Sequence, residues 1–232
     1  MAEKLRQIIP IGGGGFYRDP ENLELEKYII RQSGAASARV AFMPTASGEP
    51  DHYVASFYAA FLKLGCRPSV LTFFKRTPEL RSFLLNQDVI YVGGGNTKSL
   101  LAVWRDWGVA EILHEAWQSG IVLTGVSAGA ICWFEQGLTD SFSDGLRPLA
   151  CLGFLPGTVV RIMMAKSNAA LHCTGFCWRS KFYRASPSKT GPECIFAKKK
   201  STKPLHQNEE RAPTPYARST ARCRRCRWRR NT

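Results

Sequence analysis

Ile121-Val122-Leu123-Thr124-Gly125-Val126-Ser127-Ala128-Gly129-Ala130 is a short apolar run that breaks into Gly-Val-Ser-Ala-Gly, and Ala130-Ile131-Cys132-Trp133-Phe134 continues it as a helix-compatible stretch. A buried β run, a Gly-x-Ser-x-Gly and then a helix is the layout of a nucleophile elbow. Small residues on either side let the chain turn sharply and lift one hydroxyl clear of the sheet edge. Ser127 is therefore the candidate nucleophile. Alone, the pentapeptide fits a glycine-rich turn with an incidental serine equally well, so its surroundings must decide.

A second glycine turn lies upstream. Asp88-Val89-Ile90-Tyr91-Val92 reads as a buried strand, Gly93-Gly94-Gly95-Asn96-Thr97 ends it, and Lys98 to Trp104 has helical spacing. In an open parallel sheet, ligands bind at the carboxyl ends of the strands, so both turns belong on one edge. An oxyanion hole needs N–H donors aimed where negative charge develops, each worth about 3 kcal/mol of barrier. The amides of Gly94 and Ala128 are the candidate donors.

The rest of the chain up to about residue 157 alternates in the same way. Ile8–Ile11, Val40–Met43, Ser69–Phe74, Asp88–Val92 and Ile121–Thr124 read as strands. Helix-length segments over Glu21–Gln32, Asp51–Leu64 and Leu100–Trp117 separate them. Such alternation predicts an α/β fold, a parallel sheet covered on both faces. Gly12 to Gly15 lacks the spaced glycines and the following acid of a dinucleotide loop, so no nucleotide cofactor is expected. Pro44 to Gly48, after the second strand, reads as a wall of the same active edge.

At this point the chain resembles the peptidase E family of serine peptidases. The resemblance spans about residues 7 to 157 and rests on Tyr91 to Thr97, on Gly125 to Ala130 and on Leu149 to Gly157. It implies a flavodoxin-like three-layer domain related to class I glutamine amidotransferases. It also implies a Ser-His-acid relay without a metal or other cofactor, and short peptides, with N-terminal aspartyl dipeptides among them, as substrate. Asp140 matches the region that carries the family's acid, and Glu135 is the alternative. A class I amidotransferase proper would normally place cysteine at the elbow, which Ser127 argues against.

Charge divides the chain. Up to Gly157 there are 14 Lys and Arg against 15 Asp and Glu, whereas residues 158–232 hold 18 against 3. The overall +14 thus belongs to a basic tail, which also carries five of the eight cysteines. The first part is an ordinary near-neutral domain, long enough for a good core. Low apolar periodicity and repeated prolines predict poor order in residues 158–232. Cys223 and Cys226 lack a matching second pair, so no zinc site is expected. A nucleic-acid-binding arm on a non-catalytic α/β domain is the alternative function, since arginine neutralises phosphate and Trp228 could stack on a base.

The favoured reading of the tail is a shifted reading frame. When plausible codons for Arg161 to Lys166 are regrouped one base earlier, they give PHYDGE, and the stretch through Phe196 continues in the manner of the family's C-terminal half. The family's catalytic histidine lies in that Pro-His-Tyr segment, which is written here as Arg161-Ile162-Met163. His52, at a helix start, and His114, on an amphipathic helix, read as solvated or packed residues. No signal-peptide pattern precedes the first strand and no apolar run has membrane-spanning length, so a cytoplasmic protein without membrane partners is expected.

Overall fold

The computed structural model describes residues 5–160 and 193–194. Five parallel strands form the centre: β1 (Gln7–Ile11), β2 (Arg39–Met43), β3 (Arg67–Val70), β4 (Val89–Val92) and β5 (Val122–Val126). They stand in the order β3-β2-β4-β5-β1, and a two-residue strand, Glu193–Cys194, pairs in parallel with β1. Strands β1, β2, β4 and β5 are buried on both faces, whereas the edge strand β3 is half-buried. Ile8, Ala41, Ile90 and Leu123 point into one apolar cluster, while Ile9, Val40, Val89 and Val122, one residue away, point into the other. This is the period-two alternation of a strand buried on both sides, which reads in sequence as an unbroken apolar run.

Helices α1 (Glu24–Ser33) and α2 (Asp51–Lys63) cover one face, contributing Ile29, Phe57 and Phe61. Helices α3 (Leu80–Leu85), α4 (Thr97–Asp106) and α5 (Val109–Gln118) cover the other with Leu84, Leu100, Trp104, Leu113 and Trp117. The fold is α/β, as the alternation predicts.

Three boundaries differ from the sequence reading. The helix expected over Leu100–Trp117 is two helices, broken at Gly108, which turns left-handed at φ 61°. A β-branched or bulky residue would resist that conformation, and glycine removes the obstacle. The strand expected over Ser69–Phe74 starts earlier, at Arg67, and stops at Val70. Past that point the amides of Phe73 and Phe74 donate to the Glu49 carboxylate, at 2.7 and 3.3 Å, instead of to a neighbouring strand. Finally, the helix after Ser127 is short, α6 (Ala128–Ile131), and Phe134 already begins a strand.

That strand opens a second, smaller sheet. β6 (Phe134–Phe142) pairs antiparallel with β7 (Gly145–Ala150) and parallel with β8 (Leu155–Val160). Apart from Glu193–Cys194, residues after Val160 lie outside the described residues. So therefore does the order expected of the basic tail, and residue 162 with it. Among the described residues no helix is long and apolar enough to cross a membrane, and none of their His, Cys, Asp and Glu side chains cluster as a metal site would require.

Among the described residues the most deeply buried carboxyl is that of Glu26. Glu26 is fully buried on α1, where its Oε1 accepts the Phe16 N–H at 2.7 Å while Oε2 has no partner. Burial penalises the charge and raises its pKa above the ordinary carboxylate value. A carboxyl with a raised folded pKa contributes stability that is fully present below its unfolded pKa and lost as pH rises through the folded one. Glu26→Gln keeps the carbonyl that Phe16 needs and removes the titration. The variant is expected to be more stable than the parent at pH 8 and to show a flatter pH dependence. Urea midpoints measured from pH 4 to pH 8 check this, and equal slopes for the two proteins would refute it.

Candidate active site

Ser127 sits at the carboxyl end of β5 with φ 56° and ψ −110°. Together with Glu49 it is one of two non-glycine residues at positive φ among those described. Such a conformation costs about 1–3 kcal/mol and persists only where the surroundings enforce it. Here they do. The Ser127 amide donates to the carbonyl of Ile11 at the end of β1, at 3.0 Å, and its carbonyl accepts from Ala130 and Ile131, at 2.9 Å each. The flanking glycines are required by space. A Cβ on Gly125 would lie 2.4 Å from the Gly129 carbonyl oxygen, and one on Gly129 would lie 2.3 Å from the oxygen of Val92. Both glycines of Gly-x-Ser-x-Gly are thus needed for this elbow to close against β4.

The Gly93–Thr97 turn follows β4, next to β5 in the sheet, and so stands beside the elbow. A Cβ added to Gly94 would come within 3.4 Å of Ser127 Cβ, which places the two turns in direct contact. Gly93 donates to Met43, and Asn96 to the Ala46 carbonyl at 2.7 Å, so the Pro44–Gly48 segment after β2 backs the glycine turn. Gly95, at φ 145°, passes so close to Ala46 that a Cβ would fall 2.0 Å from its oxygen. Asn96 then caps α4, its Oδ1 accepting from Ser99 N–H at 2.9 Å.

β6 ties down the same turn from the small sheet. Ser141 Oγ accepts the Thr97 N–H at 2.8 Å, Ser141 O accepts from Asn96 Nδ2 at 3.3 Å, and Thr139 Oγ1 lies 2.8 Å from Ser141 Oγ. The amide of Ala128, at the start of α6, has no carbonyl one turn back to donate to. The Gly94 amide donates to Tyr53 Oη at 3.4 Å. Tyr53 and Ser141 escaped the sequence reading because nothing in their local patterns marks them; only the packing of α2 and β6 onto the glycine turn brings them in.

The acid candidates both lie on β6. Asp140 is exposed, between Thr139 and Ser141 but directed to the opposite face of the strand. Glu135 is exposed too, and its Oε2 accepts the Gly157 N–H at 2.8 Å. Ser127 Oγ has no hydrogen-bond partner among the described residues. His114 is exposed and packs edge-on against Phe154 and Trp117. His52 is exposed at the start of α2, its ring 5.9 Å from that of Tyr17. Cys132 is fully buried, and burial holds its thiol well above the ordinary range. The Cys151 thiol is pushed up to about 11 by the same cause. Neither is a thiolate at neutral pH, so Ser127 has no competing nucleophile at the elbow.

An exposed-edge serine elbow beside a glycine turn, on a doubly covered parallel sheet, defines a hydrolase-type site on an α/β scaffold. The family model for peptidase family S51 matches residues 8–168, and the chain belongs to that family of serine peptidases. It is 52% identical over 155 residues to the uncharacterized peptidase YgaJ of Bacillus subtilis (strain 168), covering 66% of this chain and 67% of that protein. In fold it is similar to the crystal structure of a peptidase from an acI-B1 actinobacterium, with a TM-score of 0.54, 22% identity, and 66% of each chain covered. The chain thus spans about two thirds of the length of each of these relatives.

Proposed function

We propose that this chain carries the catalytic framework of a cytoplasmic peptidase E-like serine hydrolase for short peptides, N-terminal aspartyl dipeptides among them. Ser127 attacks the scissile carbonyl, the amides of Ala128 and Gly94 receive the oxyanion, and Asp140 orients the histidine. The observation that carries the reading is the strained Ser127 conformation, held at the carboxyl edge of β5 in contact with Gly94. Strain kept at a half-buried serine on the sheet edge is what a preorganised nucleophile requires.

Asp140 is preferred to Glu135 because it matches the region that carries the family's acid. β8 runs parallel to β6 with Val160 level with Leu138. The next residues written are Arg161-Ile162-Met163, where the shifted frame restores Pro-His-Tyr. The histidine of the relay belongs to that segment, and its loss leaves this translation without a general base. No metal takes part in the proposed reaction.

Covalent labelling tests the nucleophile. A fluorophosphonate probe is expected to modify Ser127 in a protein translated from DNA whose frame is restored near the Thr158 codon, and peptide mass spectrometry locates the adduct. Labelling elsewhere, with Ser127 untouched, would remove the assignment. If instead the full chain is retained on DNA in a salt-sensitive manner that disappears when residues after Gly157 are deleted, the non-catalytic nucleic-acid-binding function gains the ground.

A further inference from the structure

The Gly94 amide is engaged before any substrate arrives. Its N–H points at Oη of Tyr53, 3.4 Å away. Tyr53 lies in the first turn of α2, 6% exposed, its ring packed 4.6 Å from that of Tyr17, 4.9 Å from Phe42 and 5.6 Å from Phe16. Gly93 makes room for it, since a Cβ there would lie 3.2 Å from Tyr53 Cε1. A phenol that accepts one hydrogen bond still has its own proton to give. Among the described residues nothing accepts it.

We propose that the Tyr53 hydroxyl, polarised from behind by the Gly94 N–H, is the donor that meets the developing oxyanion, with the Ala128 N–H as the second. Gly94 then acts through Tyr53 and not directly. This rests on the serine-hydrolase reading of Ser127 and changes the donor set within it. In the frame-restored protein, as Oγ of Ser127 attacks, its proton passes to the relay histidine and the carbonyl π pair moves onto oxygen; the Tyr53 O–H hydrogen bond to that oxygen shortens, and it relaxes when the intermediate collapses and the proton passes on to the leaving amine. No proton leaves Tyr53. Burial raises its pKa, and of the charged groups around it Arg18 lowers and Glu26 raises that value, so the hydroxyl stays protonated and able to donate through the neutral range. Aromatic packing on three sides fixes the ring, which is the preorganisation an oxyanion donor needs.

Carboxylate binding tests this without relying on turnover. A free amino acid presents its α-carboxylate oxygen to the pocket, and its α-amide lacks the charge at that position, the aspartate side chain keeping its own in both forms. Calorimetric titration of the full chain with L-aspartate, L-leucine and their α-amides is to be compared with Tyr53→Phe, which keeps the ring and its packing. The variant is expected to bind the carboxylates roughly 10- to 100-fold more weakly, the range for a lost hydrogen bond to a charged group. Affinity for the amides should be unchanged. Incorporation of 3,5-difluorotyrosine at position 53, a stronger donor of the same shape, is expected to tighten the carboxylates, which guards against a folding defect in Tyr53→Phe. Equal or tighter carboxylate binding by Tyr53→Phe would overturn the proposal, because removing the hydroxyl frees the Gly94 N–H to meet the ligand itself. If the parent binds none of the four ligands, the Tyr53 assignment falls, whereas the serine-hydrolase reading stands or falls on the labelling of Ser127.

Discussion

Dipeptide hydrolysis by the chain as written is expected to be absent at the level of ordinary peptidase turnover and to return when one base is restored upstream of the Arg161 codon. A serine hydroxyl must lose its proton as it attacks, and an imidazole near its unperturbed pKa is the usual acceptor. Neither described histidine offers one. His114 is packed against Phe154 and Trp117, and His52 lies beside Tyr17 at the start of α2. Removing one member of a serine triad costs on the order of 10⁴- to 10⁶-fold in turnover even where the oxyanion donors survive. The assay is release of free amino acid from a dipeptide panel that includes aspartyl dipeptides, run on both translations. Full activity in the unshifted chain would show that the base comes from elsewhere and that the frame argument is wrong. In the restored protein, Asp140→Asn is the variant to set against Glu135→Gln, and the larger loss identifies the acid.

Replacement of Ser127 separates chemistry from strain. In the frame-restored protein Ser127→Ala removes the nucleophile and is expected to abolish hydrolysis, a loss of the same order, about 10⁶-fold. Ser127→Gly is expected to be equally inactive but more stable than Ser127→Ala by about 1–2 kcal/mol, because glycine alone adopts φ 56° without a Cβ penalty. Thermal melts of the two variants and the parent provide the comparison. A Ser127→Gly protein no more stable than Ser127→Ala would mean that the elbow is not strained. Activity surviving in either variant would remove Ser127 from the mechanism. The expected trade, stability given up at one residue to hold a hydroxyl in attack position, is what distinguishes a functional elbow from a glycine-rich turn.

Much of this molecule was legible residue by residue. Strands β1, β2, β4 and β5 announced themselves as apolar runs because each is buried on both faces, and α1, α2, α4 and α5 as amphipathic spacing, whereas the half-buried edge strand β3 and the short helix α3 carried no such mark. Where reading failed, a long-range contact had overridden a local pattern. Ala130 to Phe134 carries a helical composition. Yet Phe134 leaves the helix, because its carbonyl accepts from Gly153 at 2.8 Å and the strand it begins pairs with β7 and β8. Leu100 to Trp117 has one amphipathic period across a glycine, and only the left-handed turn at Gly108 shows that it is two helices. The glycine turn beside the elbow was visible as Gly93-Gly94-Gly95, but the group that receives the Gly94 N–H was not.

The amino-acid sequence by itself determined the class of fold, the elbow and its serine, because apolar periodicity and glycine placement are local properties of the chain. Membership of the peptidase family follows from the same residues. The tertiary structure alone decided that the Ser127 backbone is strained, that the Gly94 turn touches it, and that Tyr53, some forty residues upstream of Gly94, accepts the Gly94 N–H. The reason is physical. Strain and hydrogen-bond partners depend on which distant strands and helices press on a residue, and that follows from how the sheet packs, a property no single segment contains.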